Sequence, residues 1–386
     1  MKKTIIGIII GLLLGLGIVG GYLYFSNPKE EVKNNNEEKK EEIKKDEYYQ
    51  IYFEDRKIYY SLNKGEKKYL MDNINNDKNT DNYLYDDDKL YYYTMDTTYN
   101  GDNVTGYKYN FSYIDLNTKK KNENFANLEV DVKKQIHIRK INDNKVYYAY
   151  GKVEQLNSEA KVGVDEYSFE TKETKNILEK TITGKVSGGG YIPPIVEVDE
   201  NRIFIQAMDG KTENIYKVEN GKEGIIVDDV RSSNFRKTFN ILNDKLYYID
   251  NNLLFSYNIK DGSVTKESAT LTNYFGNVLI FSDMIAYVDE SKGLHIKTKD
   301  SEKIISLKFD SSICTECNNL YISSRIDDNK LQISSYYAFS AFLELNNAID
   351  IPESEGGGSI LNVVKMQTAD DGEDSIYNNR YFEYRR

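Results

Sequence analysis

The chain has 386 residues, 51 basic and 62 acidic, for a formal charge of −11, which argues against general binding to nucleic-acid phosphates. At 39% hydrophobic and 13% aromatic it holds enough apolar surface for a core, so wholesale disorder is excluded. Two cysteines and two histidines in the whole sequence exclude a disulfide-rich scaffold and most Cys/His catalytic or metal sets, and no cofactor is implied.

Residues 1–3 read as a cytoplasmic stub, and residues 4–25 carry no charge. As a helix this run of 22 residues would span about 33 Å at about 1.5 Å per residue, enough to cross a bilayer. Lys2 and Lys3 precede it, so the amino terminus is expected in the cytosol and the rest of the chain outside. A signal anchor is favoured over a cleaved leader because no small-x-small site precedes Asn27-Pro28. Gly7, Gly11 and Gly15 recur at four-residue spacing, a smooth strip that would let two such helices pack closely and form a homodimer. Residues 26–47 are charged and almost without apolar side chains, and read as a disordered linker. Residues 1–47 hold eight lysines and eight acidic side chains, so the whole negative excess falls on residues 48–386.

From Tyr48 onward the pattern has period two, with β-branched and aromatic runs broken by Asp, Asn, Gly and Lys. One phrase recurs, a turn residue followed by an apolar-aromatic strand. Examples are Asp88-Lys89-Leu90-Tyr91-Tyr92, Asn144-Lys145-Val146-Tyr147-Tyr148 and Asp244-Lys245-Leu246-Tyr247-Tyr248. Its first apolar residues are Ile58, Leu90, Val146, Ile203, Leu246, Ile285 and Leu331, a step of about 45 residues that suits four-stranded blades. A short strand precedes each phrase, and an aromatic-x-apolar strand follows, as in Tyr257-Asn258-Ile259. The expected fold is all-β: a propeller of about seven four-stranded blades over 48–386, with six or eight as alternatives, behind one transmembrane helix. A strand from residues 375–384 or 48–53 is expected to complete a mixed first-and-last blade.

Leu246-Tyr247-Tyr248-Ile249-Asp250 and Ile285-Ala286-Tyr287-Val288-Asp289 resemble degenerate copies of the L-Y-W-T-D motif of low-density-lipoprotein-receptor propellers. Residues 48–386 are similar to bacterial membrane-anchored envelope proteins of unknown function that carry such propellers. The resemblance implies a recognition platform rather than a catalyst.

The sharpest local motif is Cys314-Thr315-Glu316-Cys317, which in an oxidising compartment fits a tight structural disulfide. A thiol-exchange role needs a strand-to-helix junction, and a zinc site needs further ligands, with His137 and His295 in other repeats. Both histidines stand in the polar phase of a strand and are expected at the surface. Asp370, Asp371 and Asp374 are the best calcium candidates, but no acidic cluster has an EF-hand spacing, and turn-forming aspartate is the simpler reading. Asp209-Gly210-Lys211-Thr212 imitates the end of a phosphate loop without its earlier glycine and reads as a hairpin turn. Tyr99, Tyr107 and Tyr191, placed in long inter-strand loops, are the expected ligand contacts.

These readings favour a non-catalytic, membrane-tethered, extracytoplasmic propeller that binds a protein or an envelope glycan. A glycan-active enzyme with paired rim carboxylates is one alternative. A sensory or assembly subunit that associates through its membrane helix is another.

Overall fold

The computed structural model describes residues 47–54, 56–74, 82–153, 160–182, 193–231, 238–271, 278–291, 293–308, 320–335, 339–344, 359–360, 362–366 and 380–385. The membrane helix expected over 4–25, with Gly7, Gly11 and Gly15, lies outside them. Among the described residues there is no helix, and so none long and apolar enough to cross a membrane. The described residues belong to one unit, Glu47–Arg386.

Among the described residues the strands form seven sheets, numbered in chain order. The first holds β1 (Tyr48–Glu54), β2 (Lys57–Leu62) and β3 (Lys68–Asp72), and the second β4 (Tyr83–Asp86), β5 (Lys89–Asn100), β6 (Asn103–Asp115) and β7 (Lys121–Asp131). The third is β8 (Gln135–Ile141), β9 (Lys145–Val153), β10 (Ala160–Ser168) and β11 (Thr174–Ile182). The fourth is β12 (Ile195–Asp199), β13 (Arg202–Asp209), β14 (Thr212–Glu219) and β15 (Lys222–Val227). The fifth is β16 (Phe239–Leu242), β17 (Lys245–Asp250), β18 (Leu253–Asn258) and β19 (Val264–Lys266). The sixth is β20 (Leu279–Ile280), β21 (Ile285–Val288), β22 (Gly293–Lys297) and β23 (Glu302–Lys308), and the seventh begins with β24 (Leu320–Asp327), β25 (Lys330–Ser335) and β26 (Phe339–Glu344). The chain then doubles back. β27 (Ser359–Ile360) adds in parallel to β23, β28 (Asn362–Met366) completes the seventh sheet on β26, and β29 (Arg380–Arg385) pairs antiparallel with β1.

The turns explain why Asp and Asn recur. Asp87 and Asp88 join β4 to β5 with φ of 44° and 58°, and Asn243 and Asp244 join β16 to β17 with φ of 52° and 59°. A two-residue loop with both φ positive is the type I′ turn, whose twist matches that of a hairpin and which Asp and Asn tolerate best. Asp209 and Thr212 end the hairpin of β13 and β14, as the sequence predicts.

Each sheet buries its faces on its neighbours. Ile51 and Ile58 of the first sheet meet Tyr85 and Leu90 of the second. Phe111 and Leu128 meet Ile138 and Tyr148 of the third. Val164 then meets Ile205 of the fourth, Phe204 meets Leu246 of the fifth, and Ile249 meets Tyr287 of the sixth. The last cluster joins Leu294 of the sixth sheet to Ile322 and Leu331 of the seventh and to Tyr52 of the first. First-position strands also touch in succession, β4 with β8, β8 with β12, β12 with β16, β20 with β24, and β24 with β29. The sheets therefore stand in a closed ring, and the fold is an all-β propeller.

One placement differs from expectation. The phrases at Leu90, Val146, Ile203, Leu246, Ile285 and Leu331 fall on the second strand of their sheets, but that at Ile58 falls on the third, because β29 supplies the first position. Residues from both ends of the unit thus share one sheet.

Candidate binding surface

The second sheet departs from the others. β4 pairs only with Lys89 to Tyr92, whereas β5 and β6 remain paired out to Asn100 and Asn103. The extra eight residues of β5 reach about 25 Å at about 3.3 Å per residue. The tip turns through Gly101 and Asp102, with φ of +62° at Gly101, as a two-residue hairpin with glycine first requires. β7 continues along the same tongue, pairing Tyr107 with Val130 and Tyr109 with Leu128. A Cβ on Gly106 would stand 2.3 Å from the Val130 carbonyl oxygen, so this close approach needs glycine.

Alternation makes the tongue two-faced. Met95 pairs with Tyr109, Thr97 with Tyr107, and Tyr99 with Val104 on one face. On the other, the Asn110 amide donates to Asp96 at 2.7 Å and Lys108 lies 3.5 Å from Glu129. Near the ring the apolar face is covered, with Tyr109, Phe111 and Leu128 in the core between the second and third sheets. Farther out Met95 is 52% exposed, Tyr99 64% and Val104 39%. Tyr99 and Tyr107 were expected in a loop. They lie on β5 and β6, because cross-strand pairing carries the polar stretch around them into the hairpin.

Where the tongue meets the third sheet there is an open cleft of about 700 Å³. Leu128, Val130 and Asp131 of β7 form one wall, and Tyr148, Tyr167 and Thr174 form the other. Lys134 enters this cleft, pairs with Asp165 at 2.5 Å and lies over the rings of Tyr150 and Tyr148, 4.2 and 5.1 Å from their centres. Burial, with Asp165 beside it, pushes the Tyr148 hydroxyl well above its ordinary range.

Elsewhere, polar side chains are engaged in structure. Lys89 and Tyr91 reach Asp143, and Lys140 reaches Asp86 at 2.8 Å, clamping the second sheet to the third. His295 was expected at the surface but is 5% exposed, because β22 is an interior strand of its sheet. Its ring stacks on Tyr287 with centroids 4.5 Å apart and lies 2.9 Å from both Asp289 and Glu302. The contact with His295 holds the Glu302 carboxyl below its ordinary range. His137 is exposed on β8.

The largest feature missed in the sequence is a buried ion cluster. Arg325, 1% exposed, donates to both oxygens of Asp283 at 2.8 and 3.0 Å and to the carbonyls of Asp327 and Asp328 at 3.1 Å each. Its guanidinium stands 4.8 Å from the centre of the Phe281 ring. Lys64, in the turn after β2, reaches Asp283 at 2.5 Å and Asp328 at 3.8 Å. Burial alone would raise the Asp283 carboxyl, but Arg325 and Lys64 outweigh it and pull it down to about 2. Asp328 thus belongs to a cluster that ties the sixth, seventh and first sheets. The available signal was a single arginine among the apolar residues of its strand. On β12, burial pushes the Glu197 carboxyl up to about 7 against the pull of Lys140 and Arg139.

Tyr191, Cys314, Cys317, Asp370, Asp371 and Asp374 lie outside the described residues. Among the described residues no group of three His, Cys, Asp or Glu could hold a metal ion.

No protein-family model matches the chain, and no curated protein does. Among solved structures, dipeptidyl peptidase 4 from Porphyromonas gingivalis is similar over 76% of this chain and 56% of that one, with 9% identity and a TM-score of 0.43. This chain therefore spans little more than half of that one. Oligogalacturonate lyase in complex with manganese is similar over 74% of this chain and 81% of that one, at 13% identity and a TM-score of 0.41. BamB from Moraxella catarrhalis matches over 74% and 88%, at 10% identity and a TM-score of 0.37. Likenesses at such identity say nothing of activity.

Proposed function

We propose that this chain is a non-catalytic recognition propeller, held at a membrane by residues 4–25 and exposed outside the cell, which binds a protein or an envelope polymer. The observation that carries this reading is the outer apolar face of the tongue. Met95, Tyr99 and Val104 stand together in solvent on a face whose inner half is core, and clustered exposed apolar residues mark interaction sites. Topology supports the orientation. The chain enters the ring at Tyr48, whose hydroxyl donates to Asn243 at 2.7 Å in a first-to-second-strand turn. The tip at Gly101 and Asp102 is a second-to-third-strand turn, on the opposite face of an antiparallel propeller. The tip of the tongue thus lies on the face of the ring opposite the start of β1 at Tyr48. The uncharged run 4–25 and the charged linker 26–47 support the tethering itself.

The test is a photo-crosslinking amino acid placed at Tyr99 in the full chain, with the same group at exposed Lys222 on β15 as control. Discrete adducts from position 99 and none from 222 are expected. Equal labelling at both positions, or none at either, would overturn the proposal.

A further inference from the structure

We infer that the cleft between the tongue and the third sheet takes a neutral carbohydrate segment. The inference rests on the binding reading above and names the ligand class.

The cleft, at about 700 Å³, falls within the range of about 300–1,000 Å³ typical of ligand sites. Its walls offer the half-buried Tyr167 ring and the Val130 side chain, with amide and hydroxyl groups from Asn127 and Thr174 beside them. Tyr167 packs edge-on against Phe169 with ring centroids 6.1 Å apart, so its ring is held in place before a ligand arrives. Aromatic faces recognise the C–H faces of sugar rings, while neighbouring polar groups recognise their hydroxyls.

Charge decides against the alternatives. Two lysines and two acidic residues line the cleft, Lys134 and Lys172 against Glu129 and Asp131. Lys134 is neutralised by Asp165, Glu129 faces Lys108 at 3.5 Å, and an Asp131 carboxylate oxygen accepts the Lys133 backbone N–H at 2.8 Å. A phosphate-rich or acidic polymer would find no surplus of cations here, and a basic peptide no surplus of anions. What remains is the Tyr167 ring and neutral hydrogen-bonding groups. The cleft also continues onto the tongue, because Leu128 and Val130 lie in the same cross-strand rows as Met95 and Thr97. A chain of sugar units longer than the cleft would therefore run outward along that face toward Tyr99.

The experiment titrates the purified chain with chitotetraose, cellotetraose and maltotetraose at 50 and 500 mM NaCl. At least one should bind, with Kd changing less than twofold across that salt range. Tyr167→Ala should weaken binding at least tenfold, and Tyr167→Phe, which keeps the ring, should stay within threefold. Failure of all three oligosaccharides at millimolar concentration would overturn the inference, as would a steep loss with salt, which would indicate an anionic ligand. Protein adducts from position 99 together with silent titrations would overturn the carbohydrate assignment while leaving the recognition reading intact.

Discussion

Two corners of the ring use opposite chemistry. At the junction of the sixth, seventh and first sheets, a buried arginine, two lysine- and arginine-facing aspartates and Lys64 are drawn together inside the protein. At the second sheet, methionine, tyrosine and valine are pushed out into water. The buried Arg325 guanidinium is satisfied by the Asp283 carboxylate and the carbonyls of Asp327 and Asp328 and serves closure. Among the described residues the exposed apolar face has no such partner. Polarity alone therefore misleads about role in this molecule, and what each side chain touches decides it.

The sharpest way to break the contrast is Arg325→Ala, which leaves Asp283 half-buried without its bidentate donor. A loss of about 3–5 kcal/mol in urea unfolding is expected, since removing one member of a buried pair strands the other. Arg325→Lys should recover only part, because an ammonium cannot make both parallel bonds. A loss below about 1 kcal/mol for Arg325→Ala would mean the cluster does not hold the ring.

A smaller effect should appear with acid. The Asp283 carboxyl sits at about 2, below its ordinary 3.8. Its contribution is therefore fully present above about pH 4 and is lost as pH falls toward 2, when the folded state must take up the proton. Because Asp283 is about a third exposed, about 1 kcal/mol is expected. Asp283→Asn should remove that part of the acid dependence, and an unchanged profile between pH 4 and 2 would refute the assignment.

The smallest effect sharpens the other side. Met95→Ser combined with Tyr99→Ser should alter stability by no more than about 0.5 kcal/mol, as exposed side chains outside the core do. Thermal unfolding checks this, and a loss beyond about 1 kcal/mol would show that the outer face is covered by the chain itself.

What the sequence made legible was local. Asp87-Asp88 and Asn243-Asp244 announce type I′ turns within four residues, and the unbroken apolar-aromatic run Leu246-Tyr247-Tyr248 announces a strand with two buried sides. What it hid was set by distance along the chain. Arg325 meets Asp283 across 42 positions and Lys64 meets Asp283 across 219, and no local pattern encodes either encounter. His295 occupies the polar phase of its strand, yet the stacked Tyr287 and the two carboxylates bury it. The tongue hid for a related reason: Thr94, Asp96, Asn100 and Asn103 give β5 and β6 the composition of a loop, while the pairing of each with its opposite number makes a sheet.

The pairing of β29 with β1 also governs how the molecule is made. Tyr48 finds its partner in Arg385, so a nascent chain carries every intermediate sheet before its first one is whole. Closure at such separation is intrinsically slow. Once it is made, opening means peeling β29 from β1 and from its contact with β24 together, and that coupling makes the ring a durable object, slow to come apart as well as slow to form.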